Sequence, residues 1–463
     1  MLQRSIISLI NLITNTFFRR IDVVGEENIP AEGPVIFAGN HPNALMDGWL
    51  LMARCGRLPL HFMANAKLWK YRLLGRMLDA CGAVPVYRHE EHDGDVDNSK
   101  AFDKLYKVIE RGDCMGIFPE GVSHTESQLT KLKTGAARIA LAVAARGNVR
   151  VTIIPCGLNY IHRHRFRSQV LIEFGEPIVV GDQWIDDFSG DERATVRKLT
   201  DYLAAAMVAV TLNAPDWSTL RFVQAARRLY KPATANLTPG EYVELNRRFV
   251  QAYLNTAENP ETVEFRNEVD DYQSRIDVLG LKDYQLRKKI SAGNAFRRLL
   301  ARSVFLMLLL PVAIPGVLLH LPVGWLAAYV GDRFSYEEDD IATLKVFASM
   351  ALLPLLYLVA AFLIGSYFGA VWAIIAVVGL TISFSASIWV IEAQATLLAS
   401  MVSILRRTRL RAEIESLHAT RAELVEKVRL MVDRGYDLDK PRMFSDQDFA
   451  TTNVTESEED NDE

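Results

Sequence analysis

Apolar and polar positions divide the chain into stretches of different period. Up to about residue 185, short runs rich in Val, Ile and Phe recur at 34–38, 60–64, 83–87, 114–118, 151–155 and 169–174, and read as strands. Between them lie longer segments of helical period, such as "SKAFDKLYKVIERGD" and "KTGAARIALAVAARG", the second stopped by Gly147. Strands alternating with helices predict an α/β unit, placed at residues 1–212. Within its first twenty residues, Ile6, Ile7, Leu9, Ile10, Ile13 and Phe17 share one helical face. Arg4, Asn11 and Asn15 interrupt any long apolar region and no cleavage site follows, so this segment does not read as a signal peptide. It is either a first helix packed on the unit or a helix lying in a membrane interface.

From Asp216 the strands stop and charged residues increase. "STLRFVQAARRLY", "PGEYVELNRRFVQAYLNT" and "ETVEFRNEVDDYQSRIDVLG" keep a helical period, and predict a helical extension over 213–298. A membrane region is expected over 299–400. Residues 346–391 carry no charge over 46 positions, twice the length of one span. Two spans, 346–364 and 370–391, with a turn at "GSYFG", are the economical reading. Residues 304–330 are apolar but hold Pro311, Pro315 and Pro322, and form either a kinked span or a re-entrant segment. Charge favours the second. Arg287, Lys288, Lys289, Arg297, Arg298 and Arg302 precede this stretch, and Arg406, Arg407, Arg409 and Arg411 follow the last span. Two crossings leave both clusters on the cytoplasmic side. Residues 401–440 read as an amphipathic helix that pairs with another helix or lies along the membrane, and 441–463 as a disordered acidic tail.

Composition narrows the chemistry. A net charge of −4 over 463 residues argues against a general nucleic-acid binder. Cys55, Cys81, Cys114 and Cys156 are widely spaced with no C-x-x-C pair, which fits reduced, partly buried thiols. "HEEH" (89–92) lacks the H-E-x-x-H zinc pattern, and "HRHR" (162–165) has no acidic or cysteine partners nearby, so no metal is expected.

One histidine stands out. The strand "PVIFA" leads into "GNHPNALMD", where Pro42 suits the first turn of a helix and Asp47 falls in its second. A carboxylate bonded to an imidazole fixes its tautomer and leaves the other nitrogen to act as a base. By itself the pair reads better as an ordinary structural histidine. Three later stretches change its meaning: "GAVPVYR" (82–88), "IFPEGVS" (117–123) and "TIIPCGLNY" (152–160), the last a strand broken by Pro155. In this order the four blocks resemble those of the glycerolipid acyltransferase (PlsC-like) family, over roughly residues 20–180. His41 and Asp47 match its His-Asp block, Gly82 and Arg88 its Gly-to-Arg block, and Phe118, Pro119, Glu120 and Gly121 its Phe-Pro-Glu-Gly block. Lys133, Gly135, Ala136 and Pro155 match later features.

The resemblance implies a mixed sheet flanked by helices, here with a helical extension and C-terminal transmembrane helices. It implies an acyl thioester donor, coenzyme A or acyl carrier protein, used as substrate with no cofactor, and a phosphorylated glycerol acceptor. It implies His41 as general base held by Asp47, with Arg88, Glu120, Gly121 and Lys133 binding substrate; Lys131 and His89 are lesser cations. Five residues separate His41 from Asp47 where the commoner family spacing is four. The longer spacing resembles a branch that acylates glycerol 3-phosphate or dihydroxyacetone phosphate. Arg163, Arg165 and Arg167 form a basic patch for acidic headgroups or coenzyme A phosphates, or a plain surface loop. An integral membrane enzyme of phospholipid biosynthesis, in contact with membrane lipids and with its catalytic unit facing the cytoplasm, is the expected whole. Remodelling of lysophospholipids and an inactive membrane scaffold are the alternatives.

Overall fold

The computed structural model describes residues 2–87, 99–147, 149–232, 235, 237–279, 281, 283, 286, 292–409, 411–435, 443 and 444. Two compact units emerge: Met1–Trp217 with Phe334–Val346, and Ser218–Arg333 with Phe347–Glu463.

The first unit is built on an eight-stranded mixed sheet of β1 (Phe18–Val24), β2 (Val35–Gly39), β3 (Leu60–Asn65), β4 (Val84–Val86), β5 (Cys114–Ile117), β6 (Val151–Tyr160), β7 (Ser168–Phe174) and β8 (Ile178–Val180). Its order is β1-β7-β6-β2-β5-β3-β4, with β8 also paired to β6. The pairs of β6 with β7 and β8 are antiparallel, and the others are parallel. Every residue of β2 and β5 is buried, as expected of central parallel strands covered on both faces. Ile36, Ala38, Met115, Ile117 and Ile153 join the core with Leu105 and Ile109 of the helix Ser99–Glu110, Ile139, Leu141 and Val143 of the helix Gly135–Gly147, and Leu199 and Leu203 of the helix Glu192–Val210. Each of these Ile, Leu, Val and Met side chains contributes about 1.5–3 kcal/mol by leaving water.

Pro155 does not break β6. Its neighbour strand changes there: β8 pairs with Val151–Ile153 and β7 with Cys156–Tyr160. The missing N–H falls at the junction, and the Pro155 carbonyl accepts from the Gly175 N–H at 2.8 Å. The four cysteines are buried free thiols, and burial pushes Cys55 up to about 11.

Helix α1 (Leu2–Phe17) packs on the unit through Ile7, Ile10, Thr14 and Phe17. The Arg54 guanidinium at the end of α2 (Ala44–Arg54) donates to the side-chain oxygens of Asn11 and Asn15. Those two asparagines therefore anchor the helix. Leu9 and Leu12 remain exposed on its other face.

The segment Phe334–Val346 was expected inside the membrane region and belongs instead to the first unit. It holds the acidic run Glu337–Asp340, which no bilayer interior would accept unpaired. Its 3-10 turn, Glu338–Asp340, contacts α2.

In the second unit, a capping box starts the helix Pro239–Thr256: Thr238 Oγ1 accepts from the Glu241 N–H, and the Glu241 carboxylate accepts from the Thr238 N–H. The helix Arg411–Gly435 pairs with the helix Pro260–Leu279. Glu261 with Arg434, Glu268 with Lys427 and Arg275 with Glu413 form a ladder of ion pairs along the seam. Ile276, Leu417, Leu424 and Val428 are buried in this unit. This helix was expected at 401–440; residues up to Arg409 instead continue the preceding helix, Ala370–Arg409. Apart from Met443 and Phe444, the expected acidic tail lies outside the described residues.

Three helical segments are long and apolar enough to cross a membrane: Ser303–Phe334, Glu338–Phe368 and Ala370–Val390. Gly369, at φ +93°, separates the last two helices. The first contradicts the re-entrant reading of 304–330. One helix runs from Ala292 to Phe334 through all three prolines. A neighbouring hydroxyl repairs its ladder: Gly316 N–H donates to Ser383 Oγ at 2.6 Å, and Ser383 Oγ donates on to the Val312 carbonyl at 2.5 Å. Prolines persist inside apolar helices where a neighbour satisfies the freed backbone groups in this way.

Candidate active site

Two corners at the carboxyl ends of β2 and β5 meet at His41. The first leaves β2 at Gly39. Asn40 follows like an extra strand residue: its side chain accepts from the Leu158 N–H at 2.7 Å and donates to the Leu158 carbonyl at 3.2 Å. The chain then turns through Ala44, at φ +40°, into α2. The helix begins two residues later than Pro42 suggested, so Asp47 lies in its first turn, not its second. A carboxylate there is favoured by the helix dipole.

His41 Nδ1 lies 2.8 Å from Asp47 Oδ2, which also accepts the Asn43 N–H at 2.7 Å. Tyr160, at the end of β6, donates its hydroxyl to Asp47 Oδ1 at 2.5 Å. Burial raises the Asp47 carboxyl above its ordinary range, and the contacts from His41, Tyr160 and Asn43 offset part of that rise. All three partners can donate, so the anion is the form that satisfies the arrangement. The His41 ring stacks on Phe118 with centroids 4.0 Å apart and planes 7° apart. Among the described residues its Nε2 has no hydrogen-bond partner, and the side chain is 16% exposed. The imidazole is thus fixed on one side and open on the other.

The second corner follows β5 and carries Phe118, Pro119, Glu120 and Gly121. Glu120 is buried, and protein donors engage both its oxygens. Oε1 accepts the His41 N–H at 2.9 Å. Oε2 accepts the Thr130 N–H at 2.9 Å, the Thr130 hydroxyl at 3.0 Å, and His124 Nε2. His124 returns its own N–H to the His41 carbonyl at 3.1 Å, and its Nδ1 accepts the Glu126 N–H at 3.2 Å. Burial alone would raise the Glu120 carboxyl, but His124, Thr130 and the His41 N–H outweigh it and hold it below the usual range. The hydrogen bond to Glu120 raises the His124 imidazole in turn.

Glu120 was expected among the substrate contacts. Its geometry makes it a clamp on the His41 peptide, with protein donors on both oxygens. Gly121 and Lys133 do come together. Gly121 adopts φ +80°, and a Cβ there would lie 2.7 Å from Lys133 Cδ, Cε and Nζ, so the lysine crosses a backbone only glycine leaves clear. Lys133 is exposed, and its N–H bonds the Pro119 carbonyl at 2.7 Å. Gly82, at φ +72°, leaves similar room for the His61 ring. Arg88 and His89 lie outside the described residues.

Two family models match the chain in order: "Acyltransferase" over residues 20–159, and "Glycerol-3-phosphate acyltransferase 2 C-terminal domain" over residues 222–436. Both stretches thus match acyltransferase models, the second a glycerol-3-phosphate acyltransferase one. Among the chain's relatives is glycerol-3-phosphate O-acyltransferase 2 of Saccharomyces cerevisiae, 34% identical over 57% of this chain and 37% of the relative. Glycerol-3-phosphate O-acyltransferase 1 of the same yeast is 31% identical over 59% of this chain and 38% of the relative. An uncharacterized acyltransferase of Schizosaccharomyces pombe is 25% identical over 75% of this chain and 66% of the relative. The chain thus spans little more than a third of the length of the two S. cerevisiae proteins.

The glycerolipid acyltransferase blocks located His41, Asp47 and Glu120, but not the groups that hold them. Tyr160, His124, Thr130 and Asn43 were not singled out. His124 had a signal, lying four residues after Glu120 in "EGVSH". Tyr160 had only its place at the end of the strand that carries Pro155. The basic patch after β6 is divided. Arg165 is exposed, while Arg163 is partly buried with its guanidinium 5.2 Å from the Trp217 ring centroid.

Proposed function

We propose that the protein is a membrane-bound O-acyltransferase of glycerolipid synthesis, moving a fatty acyl group from an acyl thioester to a hydroxyl of a glycerol phosphate. The observation that carries this reading is His41, with Nδ1 on a buried carboxylate and Nε2 without a hydrogen-bond partner among the described residues. Nε2 takes the proton of the acceptor hydroxyl as its oxygen attacks the thioester carbonyl. Asp47 stabilises the resulting imidazolium without itself taking the proton. Collapse of the tetrahedral intermediate breaks the C–S bond, and the imidazolium returns its proton to the departing thiolate. The thioester is already activated, so no nucleophilic side chain is required. Coenzyme A or acyl carrier protein serves as the carrier.

Glycerol 3-phosphate is the preferred acceptor on this reading, with dihydroxyacetone phosphate and lysophosphatidic acid next. The names of the S. cerevisiae relatives support the first place of glycerol 3-phosphate. Lys133 and Arg88 supply cations for the phosphate, Arg as a fork and Lys as a point charge. The apolar helices hold the enzyme in the bilayer into which its product partitions.

The test is transfer of labelled acyl groups by the full chain in membranes, against glycerol 3-phosphate, dihydroxyacetone phosphate, lysophosphatidic acid and neutral lysophospholipids. Phosphate-bearing glycerols should be the best acceptors, and His41→Ala should lower kcat by about 10²–10⁴-fold. Wild-type turnover in that variant would remove His41 as the base. Preference for neutral lysophospholipids would move the protein to lipid remodelling.

A further inference from the structure

We infer that Tyr160 is a positioning residue of the acyl-transfer site, acting through Asp47 on the basicity of His41. The inference rests on the proposed role of His41 and deepens it.

The two oxygens of Asp47 are held differently. Oδ2 takes two donors, His41 Nδ1 and the Asn43 N–H. Oδ1 takes the Tyr160 hydroxyl at 2.5 Å. Asp47 is fully buried, so without the phenol Oδ1 would face no water. Tyr160 reaches it across the fold, 113 positions along the chain, from the last residue of β6. Its ring packs against that of Phe18 in β1, with centroids 5.8 Å apart. Burial and the Asp47 charge hold the phenol well above its ordinary value, so it stays protonated and donates. The contact therefore does two things. It locks the rotation of the carboxylate, and hence the plane in which His41 is held. It also lowers the proton affinity of the Asp47–His41 pair.

The charged surroundings of Asp47 are few. His41 and Tyr160 touch it directly. The Arg163 guanidinium, from the loop after β6, acts on it through space and has Glu338 and Asp339 as its own counter-charges. Tyr160→Phe removes the phenol oxygen and leaves the ring, the strand and these charges in place.

Four measurements on the full chain in detergent test the role. In Tyr160→Phe, kcat should fall about 10–100-fold with KM for the acceptor nearly unchanged, as a hydrogen bond to a charged group is lost. The acid limb of the pH–rate profile should move to higher pH, because a carboxylate with one donor fewer makes the pair more basic. In an Asp47→Asn background, Tyr160→Phe should add almost nothing, whereas a packing role would add its full effect. The rate at which diethyl pyrocarbonate modifies His41, followed across pH by mass spectrometry, reports the same imidazole without turnover. Its midpoint should rise in Tyr160→Phe. An unchanged kcat and midpoint, a loss confined to KM, or independent effects in the double variant would each overturn the inference. If wild type transfers no acyl group to any acceptor, the proposed activity fails, and the modification profile still decides the role of Tyr160.

Discussion

Two buried carboxylates hold one histidine, and they do it from opposite ends. The corner after β2 brings Asp47 to the His41 side chain, whereas the corner after β5 brings Glu120 to the His41 backbone N–H. Both carboxylates are almost without exposure, yet their proton affinities move in opposite directions. Burial wins at Asp47, which is raised. At Glu120, His124, Thr130 and the His41 N–H win, and the group is lowered. Four hydrogen bonds meet Glu120 and three meet Asp47, which is also the more deeply buried of the two. Asp47 is set up to answer charge that appears on the imidazole during turnover. Glu120 is already satisfied at rest and sets the position of the peptide that carries the imidazole.

Substituting each by its amide separates these duties, and the largest effect is expected at Asp47. In Asp47→Asn the amide oxygen can still accept from His41 Nδ1 and the Asn43 N–H, while its NH₂ can donate to the Tyr160 hydroxyl. The fold should persist and the negative charge should be lost. Turnover should fall about 10³-fold, with a melting temperature at pH 7 within a few degrees of wild type. Equal losses of turnover and stability would mean that Asp47 is mainly a structural cap for α2.

Glu120→Gln should reverse the balance. Oε1 faces a backbone N–H, and Oε2 faces another backbone N–H with His124 and Thr130 Oγ1. Whichever way the amide turns, its NH₂ meets a backbone donor, so the variant should lose about 1–3 kcal/mol of stability. The signs with pH are opposite at the two corners. A lowered carboxyl contributes stability above its ordinary value, here 4.5, and loses it as pH falls through its lower folded value. The deficit of Glu120→Gln should therefore shrink in acid. A raised carboxyl costs stability as pH rises from its ordinary value of 3.8 through its higher folded value. Asp47→Asn should gain on wild type over that rise. Thermal unfolding from pH 3 to pH 8 (a range chosen to bracket about 4, where carboxyls titrate) measures both trends, and parallel curves would show that the corners do not differ in charge.

The contrast between the corners was only half legible in the chain. Local signals worked where neighbours in sequence decide the structure: the Val- and Ile-rich runs became strands, and "FPEG" became the turn after β5. They failed where a partner comes from far away. β1 was missed because its "FRRIDVV" sets Arg19, Arg20 and Asp22 among the apolar residues of an edge strand. The continuous helix through Pro311, Pro315 and Pro322 depends on Ser383, 67 positions beyond Gly316. Glu120 read as a substrate contact because its motif carries no trace of Thr130, ten residues on, which shares in saturating it. The His–Asp spacing was visible, but the left-handed turn at Ala44 that shifts the helix start was not.

The smallest effect expected isolates one donor at the second corner. Thr130 gives Glu120 two hydrogen bonds, one from its backbone and one from its hydroxyl, both to Oε2. Thr130→Val keeps the shape and the backbone donor and removes the hydroxyl. His124 and two N–H groups still hold the carboxylate, so the cost should be about 1 kcal/mol, with turnover down no more than severalfold. The direction of the pH effect is the sharper readout. With one donor fewer, the Glu120 carboxyl should rise toward its ordinary value, and acid unfolding should begin at higher pH than in wild type. An acid transition unmoved by Thr130→Val would mean that the hydroxyl bond adds nothing to the clamp, and that the depressed carboxyl owes its state to His124 and the backbone donors alone.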